Sequence, residues 1–307
     1  MNNVDQARLG RMVRVTTENS RELTGFYAPG EVVGAPTLLF THGLSGSFDT
    51  SFLFNLLSLE EAASVNVLLT NNSGRANLTI TRHGQPLAYS RTGSAFETFA
   101  DCVSDLKAWI DLALVLSTGP VALMGHSLGA SKVTHYIAKT LDQRVHGLVL
   151  ASPGDITGLF ISRVGDVRFN RFLKVARDLV VANSPDTVMP EDCVIGLLGH
   201  RLSAKTFLDH FGDIRPADAF NFFGREATRP FQDIAEIRVP IMVLYAETGE
   251  AVGDADPKKA IDLIRSHAQK APSFDAFVVP GNHWYNGNET EAMRQVLRWV
   301  KKVMIDK

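Results

Sequence analysis

Ser127 stands in Gly125-His126-Ser127-Leu128-Gly129, between an apolar run, Val121 to Met124, and a stretch with helical spacing. A serine held on a sharp turn between strand and helix projects its hydroxyl above the sheet edge, where it can act as a nucleophile. The flanking glycines serve that turn, because a Cβ at either position would collide with the neighbouring strand or helix. A helix beginning at Leu128 aims its first N–H groups at the reacting centre and favours negative charge developing there. Five residues of common types also fit a plain turn, so the reading depends on partners elsewhere in the chain.

A serine hydroxyl needs a base to accept its proton, and histidine suits because its pKa lies near neutrality. The chain has nine histidines. His283 is the best placed, in Pro280-Gly281-Asn282-His283-Trp284, just after the last apolar run. His126 adjoins the serine but lies inside the turn, so its ring is expected to point away and to serve structure. Thr41-His42-Gly43-Leu44-Ser45-Gly46 follows the first buried run and carries two glycines within four residues. Such a loop can turn backbone N–H groups inward and form half of an oxyanion hole. The Leu44 N–H is the expected donor there, and the Leu128 N–H the other.

These pieces need a sheet to hold them. Met12 to Thr16 and Leu23 to Tyr27 alternate and read as an opening hairpin at a sheet edge. Pro36–Phe40, Val65–Thr70, Val121–Met124, Val145–Ala151, Val239–Tyr245 and Phe274–Val279 are continuous apolar runs, as expected of strands buried on both faces. The stretch from Asn71 to Gly93 lacks periodicity and reads as a loop. Phe96 to Leu116 has one apolar face, with Glu97, Asp101, Asp105, Lys107 and Asp111 falling largely on the other side. Leu128 to Thr140, Pro257 to Ala268 and Thr290 to Lys307 also read as helices. Strand and helix alternate, which predicts a parallel sheet flanked by helices. The rhythm breaks over residues 156–235, where helical fragments are interrupted by Gly and Pro and nine of the eighteen phenylalanines fall. This stretch is expected to be an inserted helical cap, with residues 1–155 and 236–307 forming one core domain. Most of its aromatics would form the cap's own small core, the rest closing an apolar pocket over Ser127.

With 45% apolar residues and a net charge of −2, the chain suits one large α/β domain and offers no broad basic surface for nucleic acid. No apolar stretch approaches a membrane span, and Met1 to Ser20 has no apolar core of a signal peptide. Cys102 and Cys193 are too few and too far apart for a disulfide framework, and both are expected to be buried. A cytoplasmic setting fits. No clustered Cys/His or H-x-x-x-H pattern implies a metal, and no cofactor is implied.

The chain resembles the α/β-hydrolase superfamily over nearly its whole length. The likeness rests on Thr41-His42-Gly43-Leu44, Gly125-His126-Ser127-Leu128-Gly129, the strand Val239–Tyr245 with its acidic loop, and Gly281-Asn282-His283, in the order that family uses. A second likeness, to a branch that includes fungal siderophore esterases, rests on Ser152-Pro153-Gly154-Asp155, Tyr245 and Asn282-His283-Trp284-Tyr285. The resemblance implies an α/β-hydrolase fold and a triad whose carboxylate holds the imidazole tautomer. Relatives carry an aspartate about nine residues after the proline that opens the strand, but the count from Pro240 reaches Gly249. Glu250 comes next and is taken as the acid. Glu247 lies closer to the strand end, Asp155 occupies a known alternative position, and Asp254 and Asp256 lie further along the loop. The implied function is hydrolysis of an ester, thioester or lactone of a small, partly apolar substrate through an acyl-serine. Acyl transfer from the same intermediate and a non-catalytic small-ligand receptor are the competing readings.

Overall fold

In a computed structural model the chain is described over residues 9–49, 51–83, 88–190, 192, 200–225, 231–249, 252–253 and 256–305. The strands are β1 (Arg11–Thr16), β2 (Glu22–Ala28), β3 (Thr37–Thr41), β4 (Asn66–Thr70), β5 (Thr79–His83), β6 (Ala88–Thr92), β7 (Val121–His126), β8 (Val145–Ala151), β9 (Ile241–Ala246) and β10 (Phe274–Val279). The helices are α1 (Ser51–Ser58), α2 (Asp101–Leu116), α3 (Leu128–Thr140), α4 (Ile156–Val164), α5 (Asp166–Val181), α6 (Ala204–Phe211), α7 (Gln232–Ala235), α8 (Pro257–His267) and α9 (Glu289–Met304). Eight strands join in the order β1-β2-β4-β3-β7-β8-β9-β10. The pairs β1/β2 and β2/β4 are antiparallel, and every pairing from β4 across to β10 is parallel.

The continuous apolar runs are explained by helices on both faces. Alternate residues of a strand point to opposite sides. Leu39, Leu68, Leu123, Leu148 and Val243 pack with Trp109 and Ile110 of α2, Val133 and Ile137 of α3, and Ile261 and Ile264 of α8. Their neighbours Leu38, Phe40, Leu69, Met124, Val149 and Leu244 pack with Phe52 and Leu56 of α1 and with Met293, Leu297 and Val300 of α9. The helix after β3 therefore covers one face, and the helix after β7 covers the other. A crevice opens at the carboxyl ends of two adjacent parallel strands whose connections diverge in this way, and ligands of open α/β sheets bind there. Thr41 and Gly125 are register partners at that point.

Two expectations change. Residues 79–92 are not all loop: β5 and β6 pair antiparallel as a separate two-stranded sheet, from Thr79↔Thr92 to His83↔Ala88. Ile80 and Tyr89 of this hairpin are exposed, so no apolar face marked it in the sequence. The helix expected from Phe96 begins at Asp101, and Glu97, Asp101 and Asp105 are buried rather than solvated. Each has a polar reason to be inside. Glu97 meets Lys132, Asp101 meets Arg21, and Asp105 accepts from the backbone and side chain of Ser73.

Between β8 and β9 the chain carries α4 to α7. Phe160, Phe169, Phe172, Phe207 and Phe211 form a cluster of their own with Met189 and Leu202. Phe220 and Phe231 join the main core instead, meeting each other edge-on, with Phe231 stacked on His267 of α8. Among the described residues no helix is long and apolar enough to cross a membrane. Cys102 is buried, and Cys193 lies outside the described residues.

Trp109 tests how the α2 layer is tied to the sheet. It is 1% exposed, and its Nε1 donates to the Asn71 carbonyl at 2.9 Å, just beyond β4. Trp109→Phe should lower unfolding free energy by about 1–3 kcal/mol, because the carbonyl stays buried without its donor. Urea denaturation of the two proteins measures the difference.

Candidate active site

Ser127 joins β7 to α3 with φ 57° and ψ −125°, a backbone conformation that side chains rarely adopt. The strain is held from both sides, since its N–H donates to the Ala151 carbonyl at 2.9 Å and its carbonyl accepts from Ala130 at 2.9 Å. A Cβ at Gly125 would stand 2.1 Å from the Gly129 carbonyl oxygen. One at Gly129 would stand 2.6 Å from the Thr41 carbonyl oxygen. Only bare backbone fits this crossing. Ser45, Ser152 and Tyr285 also have positive φ, each just after a strand that ends at the same sheet edge.

The loop after β3 presses against the turn. A Cβ at Gly43 would lie 2.9 Å from the Ser127 Cβ and 3.1 Å from the Leu128 nitrogen. Among the described residues neither the Leu44 nor the Leu128 N–H meets a backbone acceptor. The Leu128 side chain packs with Phe99, Cys102 and Ala217, and Leu44, Val103 and Ile156 border the cluster. The His42 ring is fixed as the Nδ1–H tautomer, donating to Gly43 O at 2.9 Å and accepting from Asn72 N at Nε2, 3.2 Å. Burial, with Lys132 adding to it, pulls its pKa down to about 3, so this ring is neutral and serves the loop.

His283 comes back over the sheet edge to the turn. Tyr285, fully buried, donates its hydroxyl to the Leu244 carbonyl and accepts from Ser152 Oγ at 2.9 Å, seating the loop over β8 and β9. The His126 ring, expected to serve structure, meets the His283 loop. Its Nε2–H donates to the His283 carbonyl at 2.9 Å, and the two rings lie 4.8 Å apart between centroids. Burial, then the proximity of His283, lowers the His126 pKa to about 3, so it is a permanent neutral donor here. Trp284 packs on the His126 ring at 4.7 Å and leaves much of its own indole exposed. The serine and the histidine that the sequence singled out thus belong to one sheet edge, joined through His126.

Glu250 and Asp254 lie outside the described residues. Glu247 is exposed, its N–H donating to the Val279 carbonyl. Asp256 caps α8 by accepting from Lys258 N. Asp155 is buried and already engaged: Oδ1 accepts from Gly158 N at 2.6 Å and Oδ2 from Phe223 N at 3.1 Å. It caps α4 and ties the segment around Phe223 to the end of β8. Among the described residues no group of three or more His, Cys, Asp or Glu could hold a metal ion.

The sequence profile of the alpha/beta hydrolase family matches residues 38–296, and the chain belongs to that family. Solved structures with the same fold include the Pyrococcus furiosus esterase Pf2001, 15% identical with a TM-score of 0.62 over 97% of this chain and 92% of that one. Est1E from Butyrivibrio proteoclasticus with ferulic acid bound is 15% identical, with a TM-score of 0.63 over 96% and 100%. The siderophore hydrolase EstB from Aspergillus fumigatus is 17% identical, with a TM-score of 0.63 over 97% of each chain. No curated protein sequence matches significantly.

A second buried carboxyl lies beside Asp155. Asp218 has its Oδ2 3.8 Å from Arg215 Nε, and burial, then the charge of Asp155, pushes its pKa up to about 7. Between about pH 4 and that value the folded protein holds a proton that the unfolded chain has released. Its contribution to stability is therefore complete below the unfolded pKa and is lost as pH rises through the folded one. Asp218→Asn should flatten this decline and stabilise the protein above neutrality. Urea unfolding at about pH 5 and about pH 8 reads the slope, and a slope like that of the wild type would contradict the assignment.

Proposed function

We propose that the protein is a serine hydrolase that cleaves a carboxylic ester, thioester or lactone of a small, partly apolar substrate. The observation that carries this reading is the strained Ser127 turn, with the Gly43 loop packed against it and the His283 loop bonded to it through His126. The reaction follows from the chemistry of the groups. His283 takes the hydroxyl proton as Ser127 Oγ attacks the acyl carbonyl. The N–H groups of Leu44 and Leu128 stabilise the oxyanion. The leaving group departs with the proton from His283, and water activated by the same imidazole releases the acyl group. Glu250 is the proposed acid that holds the imidazole tautomer.

The apolar side chains around Leu44 and Leu128 support a substrate with an apolar acyl portion. The segment 156–235 is proposed as the cap that bounds it, with 1–155 and 236–307 as the core. An esterase and a siderophore hydrolase among the similar folds agree with ester cleavage. Asp155 is given a structural role instead, because its oxygens cap α4 and hold the Phe223 backbone.

Ser127→Ala should abolish p-nitrophenyl ester turnover and fluorophosphonate labelling while circular dichroism stays unchanged; undiminished turnover would remove the reading. For the acid, Glu250→Gln should lower kcat by on the order of 10³–10⁴, the scale of losing a triad carboxylate. Glu247→Gln should leave kcat near wild type, and Asp155→Asn should act mainly on stability. A collapse of kcat confined to Glu247→Gln or to Asp155→Asn would move the assignment to that residue.

A further inference from the structure

Behind the loop that carries Leu44 lies a buried polar cluster that the proposed reaction does not use. Its centre is Asn72, 2% exposed, in the turn after β4. Asn72 Nδ2 donates to Thr41 Oγ1 at 2.9 Å and to the His42 carbonyl at 3.0 Å, while its backbone N–H donates to His42 Nε2 at 3.2 Å. Its Oδ1 accepts from Gly74 N at 2.9 Å and from Lys132 Nζ at 3.1 Å. Lys132 belongs to α3, the helix that follows Ser127, and its ammonium pairs with Glu97 at 2.6 Å. Both side chains of that pair are almost wholly buried.

A buried ion pair adds little net stability compared with an apolar pair of the same volume. What it can supply here is position. Among the described residues of the cluster, Asn72 alone bonds both to the nucleophile helix and to Thr41 and His42, where β3 passes into the loop, and it does so with both ends of one amide. The Gly43 backbone next in line lies in contact with Ser127, so a small shift of residues 41–43 moves the Leu44 N–H against the reacting centre. Catalytic donors lose most of their effect when displaced by an ångström or less.

We propose that Asn72, clamped by the Lys132–Glu97 pair, is a positioning residue that sets the distance between the oxyanion loop and the nucleophile. The inference rests on the reading of Ser127 as nucleophile and deepens it. Asn72→Asp is the test, because it is isosteric and keeps an acceptor for Lys132 but replaces the two side-chain donations with repulsion at the His42 carbonyl. With p-nitrophenyl acetate, kcat should fall by about tenfold to a hundredfold, short of or reaching the loss of one oxyanion donor, with KM within about twofold. Affinity for 1,1,1-trifluoroheptan-2-one, which forms a tetrahedral adduct at the serine, should fall by the same factor as kcat/KM. A merely structural role would lower the melting temperature and leave both quantities of the folded protein unchanged. That result overturns the proposal, as does a fall in kcat with ketone affinity unaltered. If Asn72→Asp does not fold, Thr41→Val removes one of the same bonds. A parallel fall of about fivefold in kcat and ketone affinity then supports the proposal, and no change overturns it. Ser127→Ala assayed beside these variants separates the two readings. Turnover surviving in it removes the nucleophile and this inference with it, whereas serine-dependent turnover with a wild-type kcat in Asn72→Asp removes this inference alone.

Discussion

The structure depends on one close crossing of backbone. The chain leaves β7, turns at Ser127 and enters α3 with Gly125 and Gly129 in near contact, while the end of β3 passes directly over Gly129. No side chain fits between these segments, so the crossing can be made only where glycine stands. The strain at Ser127 is small on the scale of a folded domain, of order 1–3 kcal/mol, and the apolar burial of β7 and α3 on either side offsets it. The same crossing determines what can stand next to the serine. The loop after β3 must be backbone-only at Gly43, where a Cβ would press on the Ser127 Cβ and the Leu128 nitrogen.

Around this crossing the chain separates two kinds of interior. Toward the sheet the residues are apolar and interdigitate with helices on both faces. Toward the loops after β3 and β4 they are polar and bonded in chains, from Asp101 through Arg21 and Ser73 to Asp105, and from Glu97 through Lys132 to Asn72 and His42. Apolar packing tolerates small slips, whereas a hydrogen-bonded cluster in a low-dielectric interior penalises them, because every displaced group is left unpaired. Placing the polar cluster behind the loop that faces Ser127 puts the stiffest packing where geometry matters most.

The sequence made most of the scaffold legible, for a reason visible in particular residues. Strands buried on both faces must be apolar at every position, so Val121 to Met124 and Val145 to Ala151 could be read directly. The serine turn was legible because its glycines have no substitute. The hairpin of β5 and β6 was not, because Ile80 and Tyr89 face solvent while the half-buried positions beside them are Thr79, Thr81 and Ser90, so hydrophobicity does not follow burial there. Glu97, Asp101 and Asp105 were misread as a solvated face, because helical spacing cannot show that Lys132, Arg21 and Ser73, distant in sequence, arrive opposite them. A cation on the serine helix was the available signal: Lys132 follows Ser127 by five residues, between the small Ser131 and the apolar Val133. The bond from His126 to the His283 loop was not legible, because adjacency in the turn says nothing of a loop arriving from residue 283.

That last contact also bears on how the site can carry charge. In the proposed reaction His283 becomes a cation while the serine is acylated, and a second imidazole lies 4.8 Å away. Were His126 able to share the proton, the two rings would compete for it and the loop would lose its anchor, since a cationic pair so close is unfavourable in a buried setting. Burial against Phe52 and Trp284 prevents this by holding His126 neutral down to a pKa of about 3. Its single N–H is committed to the His283 carbonyl, so the ring can fix the backbone of the base without taking part in its titration. The neighbour that would compete for the proton in the proposed reaction is thereby the contact that holds the His283 backbone.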